Sequence, residues 1–355
     1  MTSSRNHLLD LYKLLLITVI CFHHSHWFKG DLTSGYLVVE FFFIVSGYFI
    51  YCCHSKKQLR VSEFFMKKCG RLLPIYAITL TGYICLALTN PQFYRHPETA
   101  NWPLSILNDG LMASATGLFY LGDDYVMRFN GPDWYLSALL WGGTLLYFII
   151  RSCKHAPIII ATITIAVYAY LFGVNGGIES WKFAGPFYMP FWRGMAGMGL
   201  GILLGMASNA KITQQFLSKE RTALRIIMLA VPTAIAAGCL FSPTNADLPG
   251  LIALFTISAA LIYMPLPESA PKWLRYVPDI SLEILLIHRF TIGMTNQISE
   301  TAGFEDSFLI KSILLLLLTI TGALLLQRVA MPAITKTTSS LRYAVTSNLR
   351  NSTRL

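Results

Sequence analysis

The chain has 355 residues, 54% of them hydrophobic and 13% charged, with a mean hydropathy of +0.52. That balance excludes an ordinary soluble domain, and the apolar runs are of membrane length. The net charge of +10 does not mark a nucleic-acid binder, because the basic residues are scattered over many short loops.

The first apolar stretch, Leu8 to Phe28, is hydrophobic enough to enter a bilayer yet carries Asp10, Lys13, His23, His24 and His26. No small-residue cleavage site follows it, so it is expected to be retained as a span. Ionisable groups at membrane depth are costly and are functional candidates. Lys13 and His24 lie eleven positions apart. On a helix they are about 20° apart in azimuth and roughly 16 Å apart along the axis. One stripe therefore carries a cation near one membrane face and an imidazole near the other.

The turn KGDLTSG at 29–35 closes a hairpin with the second apolar segment, in which Glu40 is the only acid. His24 and Glu40 are equidistant from the centre of that turn and are expected at similar depth. A carboxylate beside an imidazole would set its tautomer and raise its basicity, making His24 a general base or a nucleophile supported by Glu40. His23 and His26 read as interfacial residues. A basic loop follows, ending in Arg71, Pro74 and Tyr76 at the entry of the third segment. Its lysines, Lys67 and Lys68, read as positive-inside anchors, and Arg71 as a guanidinium suited to the phosphates of a cytosolic cofactor.

Further along, Arg193 sits early in the glycine-rich sixth span and needs a partner, with Glu40 or an anionic intermediate as the candidates. The glycines after it suit close helix packing. In SLEILLIHRFTI, His288 lies near mid-membrane beside Arg289, with Glu283 nearby.

In all, about ten transmembrane helices fit, at roughly 8–28, 36–53, 72–90, 134–150, 157–173, 188–207, 223–241, 249–265, 280–298 and 308–330. The expected fold is an all-α polytopic bundle in one domain, 1–330, with a short basic cytoplasmic tail at 331–355. With both termini inside, the inner segments hold twenty of the 28 Lys and Arg residues and the outer loops four. The other four, Lys13, Arg193, Arg289 and Lys311, fall within spans. The same asymmetry places 91–133 outside as one long loop, rich in acids and aromatics that suit either a sugar-facing surface or a solvated loop with interfacial aromatics. The seven cysteines show neither a disulfide framework nor zinc spacing, and no metal is expected.

Taken together, these residues resemble the membrane-bound acyltransferase-3 family. The resemblance rests on Lys13 and His24 in DLYKLLLITVICFHH, where arginine is usual at the position of Lys13. It rests also on Ser46, Gly47 and Tyr48 after Phe-Phe, and on Arg71, Pro74 and Tyr76. Trp134 in DWYLSALL and His288 in the late helix complete the set. Many members have a carboxylate soon after Trp134, where this chain is apolar. The resemblance implies an acyl-CoA donor, most often acetyl-CoA, bound from the cytosol. It implies an acceptor hydroxyl on an envelope polysaccharide or lipid-linked glycan, an O-acetyltransferase of the bacterial inner (plasma) membrane, and glycan-assembly proteins as partners. On that reading His24, Glu40 and His288 are catalytic, while Lys13, Arg71 and Arg193 hold the donor or the developing negative charge. The rival expectation is a transporter or flippase for a lipid-linked glycan, against which stands the lack of an internal repeat.

Overall fold

The structure, a computed structural model, is described here for residues 6–27, 32, 34–89, 104, 106–108, 110–111, 131–180, 183–184, 187–208, 222–242, 246–263, 271–330 and 332. Most of the expected 91–133 loop and nearly all of the 331–355 tail lie outside these residues.

Helix α1 (His7–Ser25) starts at Asn6, whose side chain accepts from the Leu9 amide and donates to the Leu261 carbonyl. It stops where His26 turns left-handed, with φ 55°. A 3₁₀ turn (Gly35–Val38) leads into α2 (Val39–Lys57). Only three residues separate α2 from α3 (Val61–Thr89). The stretch from Val61 to Arg71, expected as part of a basic loop, is the first part of this long helix. The reason is local. Gln58 closes α2 in the left-handed region, and Glu63 accepts from the Arg60 amide and Nε at 2.9 Å each, restarting the helix at once. Lys68 and Arg71, three apart on that helix, thereby share one face.

Helix α4 (Asp133–Ser137) passes through a π-helical turn (Ala138–Gly142) into α5 (Gly143–Ser152). After α6 (Ala156–Gly173), a two-residue antiparallel hairpin, β1 (Phe183–Ala184) with β2 (Phe187–Tyr188), precedes α7 (Met189–Ser208). Then come α8 (Thr222–Leu240), α9 (Asp247–Tyr263), α10 (Ser281–Ala302) and α11 (Phe308–Leu325).

The described chain is thus almost wholly helical. Five segments are long and apolar enough to cross a membrane: His7–Ser25, Gly35–Lys57, Val61–Leu88, Ala156–Gly173 and Phe308–Ala330. Two shorter apolar helices are Ile226–Leu240 and Asp247–Tyr263. Helices α7 and α10 are long enough but less apolar, since α7 carries Arg193 and five glycines and α10 carries Glu283, His288 and Arg289. Most of these groups are buried and face other helices.

The centre of the bundle is the crossing of α2 with α7. A Cβ added at Gly201 would stand 1.8 Å from the Ile44 carbonyl oxygen, and one at Gly47 1.9 Å from that of Met198. The two backbones touch there, which only glycine permits. Gly201→Val is expected to cost about 3 kcal/mol or more, the upper end of overpacking. It should appear as a large fall in the thermal midpoint of detergent-solubilised protein. Gly82→Ala, which has nothing within 4 Å of the new Cβ, should melt with the wild type.

Candidate active site

The three histidines at the end of α1 go to different tasks. His23 Nδ1 donates to the Leu32 carbonyl at 3.0 Å, stitching the helix end to the hairpin turn. Gly35 gives this ring its room, since a Cβ there would lie 2.4 Å from His23 Cβ. His26 supplies the left-handed cap. His24 turns to α10, where its Nδ1 lies 2.8 Å from Nε2 of His288, the two ring planes being 21° apart with centroids separated by 4.9 Å. His288 is wholly buried, and its Nδ1 donates to the Leu285 carbonyl at 2.7 Å.

Glu40 does not meet His24. It is 0% exposed and accepts from Arg193 Nε at 2.5 Å and from the Tyr168 hydroxyl at 2.6 Å. Arg193 also donates to the Tyr36 carbonyl at 2.9 Å, and its guanidinium lies about 6 Å from the ring centroids of Tyr36 and Trp134. The Tyr36 hydroxyl donates to Asp247, which also accepts from the Ile178 amide, both at 2.6 Å. The equal depth expected for His24 and Glu40 says nothing about azimuth. In the structure Glu40 faces Arg193 on α7.

Lys13 Nζ lies 3.3 Å from both carboxylate oxygens of Asp279 and 3.5 Å from Asp10. Gln327 donates to the Asp279 carbonyl at 2.7 Å, fixing this cluster to the end of α11. The cation of Lys13 is therefore matched by two carboxylates. Arg71 makes no hydrogen bond or ion pair among the described residues. Lys68 donates to the Leu139 carbonyl, in the π-helical turn, at 2.7 Å, and stands 5.3 Å from the Phe64 ring centroid. Lys68 thus does more than the positive-inside anchoring its sequence position suggests. Its spacing from Arg71 was a signal for more, once the segment is known to be helical.

These groups border one cavity of about 1180 Å³. Lys13, His24, Arg71 and Arg193 line it, as do Lys68 and Arg289, whereas Glu40 and His288 stand behind its wall. On α1 the lining runs from Asn6 to His24, about 27 Å along a helix axis, nearly the thickness of a hydrocarbon core. At the end away from His24 it is bordered by Lys56, Lys67 and Arg328. Sequence reasoning missed Asp279, Tyr168 and Asp247. Asp279, just before α10, stood at a span boundary and could have been matched to Lys13 by depth.

A bundle of apolar helices enclosing a long charged cavity defines a membrane protein with an internal site. Residues 6–328 match the family model described as an acyltransferase domain, and the chain belongs to the acyltransferase-3 family. It is also similar to a serine/alanine racemase of Enterococcus gallinarum, 23% identical over 334 residues. That match covers 86% of this chain and 43% of the racemase, so the chain spans less than half of that relative's length. No solved structure matches.

Proposed function

We propose that this protein is a membrane O-acyltransferase that moves an acyl group, in the first instance acetyl, from cytosolic acyl-CoA to a hydroxyl of an envelope polysaccharide or lipid-linked glycan. The observation that carries the reading is the cavity itself: a cluster of lysines and arginines at one end and, at the other, an imidazole with Arg193 and Arg289 near it, on a path long enough to cross the bilayer. With ten spans and both termini cytoplasmic in a bacterial inner membrane, the basic end opens to the cytosol.

Arg71 and Lys68 bind the donor's phosphates from one face of α3, with Lys56, Lys67 and Arg328 around them. Lys13, matched by Asp10 and Asp279, orders the inner mouth and does not serve as a free phosphate ligand. His24 acts on the acyl group at the other end. As a base it takes the acceptor's hydroxyl proton while the oxygen bonds to the thioester carbonyl carbon; the C–S bond breaks and the thiolate receives the proton. As a carrier its nitrogen bonds to that carbon first as the C–S bond breaks and the thiolate leaves; the acceptor oxygen then bonds to the acyl carbon as the N–C bond breaks, and the hydroxyl proton passes through the freed nitrogen to the thiolate. Glu40 acts by holding Arg193 and the α2–α7 core in place.

The test is a labelled-donor assay. Membrane vesicles that expose the cytoplasmic face receive labelled acetyl-CoA, and surface glycans are analysed by mass spectrometry with and without the gene. Label and one acyl mass increment should appear on the glycan only when the gene is present. Glycan movement with no need for acyl-CoA would instead identify a flippase. Arg71→Ala is expected to raise the KM for acetyl-CoA about tenfold, as befits one lost charge-assisted phosphate contact, with kcat much less affected. Lys68→Ala should act in the same direction.

A further inference from the structure

Two imidazoles in hydrogen-bond contact must agree on which nitrogen carries the proton. The agreement here starts at a carbonyl. The Leu285 oxygen, 2.7 Å from His288 Nδ1, can only accept, so His288 Nδ1 bears a hydrogen. A second proton on this ring would be a charge with no solvent exposure and no carboxylate among its hydrogen-bond partners, adjacent in sequence to Arg289. His288 Nε2 is therefore a bare lone pair. The 2.8 Å contact to His24 Nδ1 then requires the hydrogen to come from His24.

We infer that His288 locks His24 as its Nδ1–H tautomer, so that Nε2 of His24, on the ring that lines the cavity, is the nitrogen that reacts. His288 is on this account a positioning residue, since it stands behind the wall and touches no substrate. The inference rests on the role given to His24 above. It holds for both versions of that role. In the base version Nε2 takes the hydroxyl proton and Nδ1 keeps its own. In the carrier version Nε2 forms the bond to the acyl carbon as the C–S bond breaks, and Nδ1–H stays bonded to His288 throughout. In neither version does His288 exchange a proton with substrate.

The experiment uses the full chain in lipid nanodiscs, labelled with 15N at histidine. Signals of His24 are those that vanish in His24→Ala. In the wild type they should show a protonated Nδ1 and a bare Nε2. His288→Leu removes the acceptor, and the pattern should move towards Nε2–H. Transfer should then fall about tenfold or more, the effect of losing one orienting hydrogen bond, with the KM for acetyl-CoA within about twofold of wild type, as expected when ground-state donor binding is untouched. His288→Gln, whose amide oxygen can accept from Nδ1–H, should keep the wild-type pattern and recover part of the rate. A wild-type spectrum with the proton on Nε2 of His24 overturns the inference, as does a His288→Leu protein with unaltered shifts. Retained transfer in His24→Ala would sink the functional reading instead, and the nitrogen shifts would still decide this one.

Discussion

His24→Ala should lower acyl transfer by at least about 100-fold, the low end of what a positioned general base contributes. A larger loss is expected if the imidazole also carries the acyl group, since the covalent route then closes. His288 is sealed behind His24, whereas His23 also lines the cavity with its Nδ1 held by the Leu32 carbonyl, so His23→Ala combined with His24→Ala is the control for a substitute base. The fold should survive, because the ring forms part of a cavity wall. Its removal leaves His288 Nε2 without a donor, a penalty of about 1–3 kcal/mol if no water replaces it. Donor binding at Arg71 and Lys68 should persist, so the KM for acetyl-CoA should move little while kcat collapses. Measured on purified protein of wild-type elution profile, full transfer by His24→Ala would leave the proposed chemistry without its central group. A labelled acyl group recovered on the wild-type protein and absent from the variant would single out the carrier route.

Arg193→Met is expected to be the most destabilising single change in the described core. Arg193 is 4% exposed and Glu40 0%. Removing the cation leaves a buried carboxylate with one hydroxyl donor, and stranding one partner of a buried pair costs about 3–5 kcal/mol. The loss should spread, because Arg193 also holds the Tyr36 carbonyl, and Tyr36 in turn holds Asp247 at the start of α9. Adding Glu40→Gln should restore most of the stability. The amide oxygen can still accept from Tyr168, and no charge remains to be matched. The measurement is the thermal midpoint of the single variants and the double variant in detergent, read as a double-mutant cycle. If Arg193→Met melts with the wild type, the pair does not hold the α2–α7 core as described. If the double variant is folded but transfers slowly, the network also shapes the His24 end of the cavity.

The helical membrane character was readable from composition and hydropathic runs alone, since transferring apolar surface out of water needs no partner to be specified. The stripe joining Lys13 and His24 was readable too. Both sit on one helix, whose period is set by backbone hydrogen bonds, and both do line the same cavity. The family could be recognised for the same reason: its motifs are short runs within single helices. Relations between helices were another matter. Equal depth for His24 and Glu40 carries no azimuth, and Glu40 faces Arg193 on α7. The helical state of Val61–Arg71, and with it the shared face of Lys68 and Arg71, depended on the cap that Glu63 makes.

Which residues meet across the bundle was settled by packing between distant parts of the chain. Asp279 reaches Lys13 over a separation of 266 positions, and His288 reaches His24 over 264. Periodicity carries no information over such a span, because each helix can rotate about its own axis without altering its local hydrogen bonds. The glycine contact of α2 with α7 and the buried Glu40–Arg193 pair remove that freedom for those two helices. Burial, charge pairing and steric fit thus choose one set of rotations, and the cavity with its paired imidazoles exists only in that set.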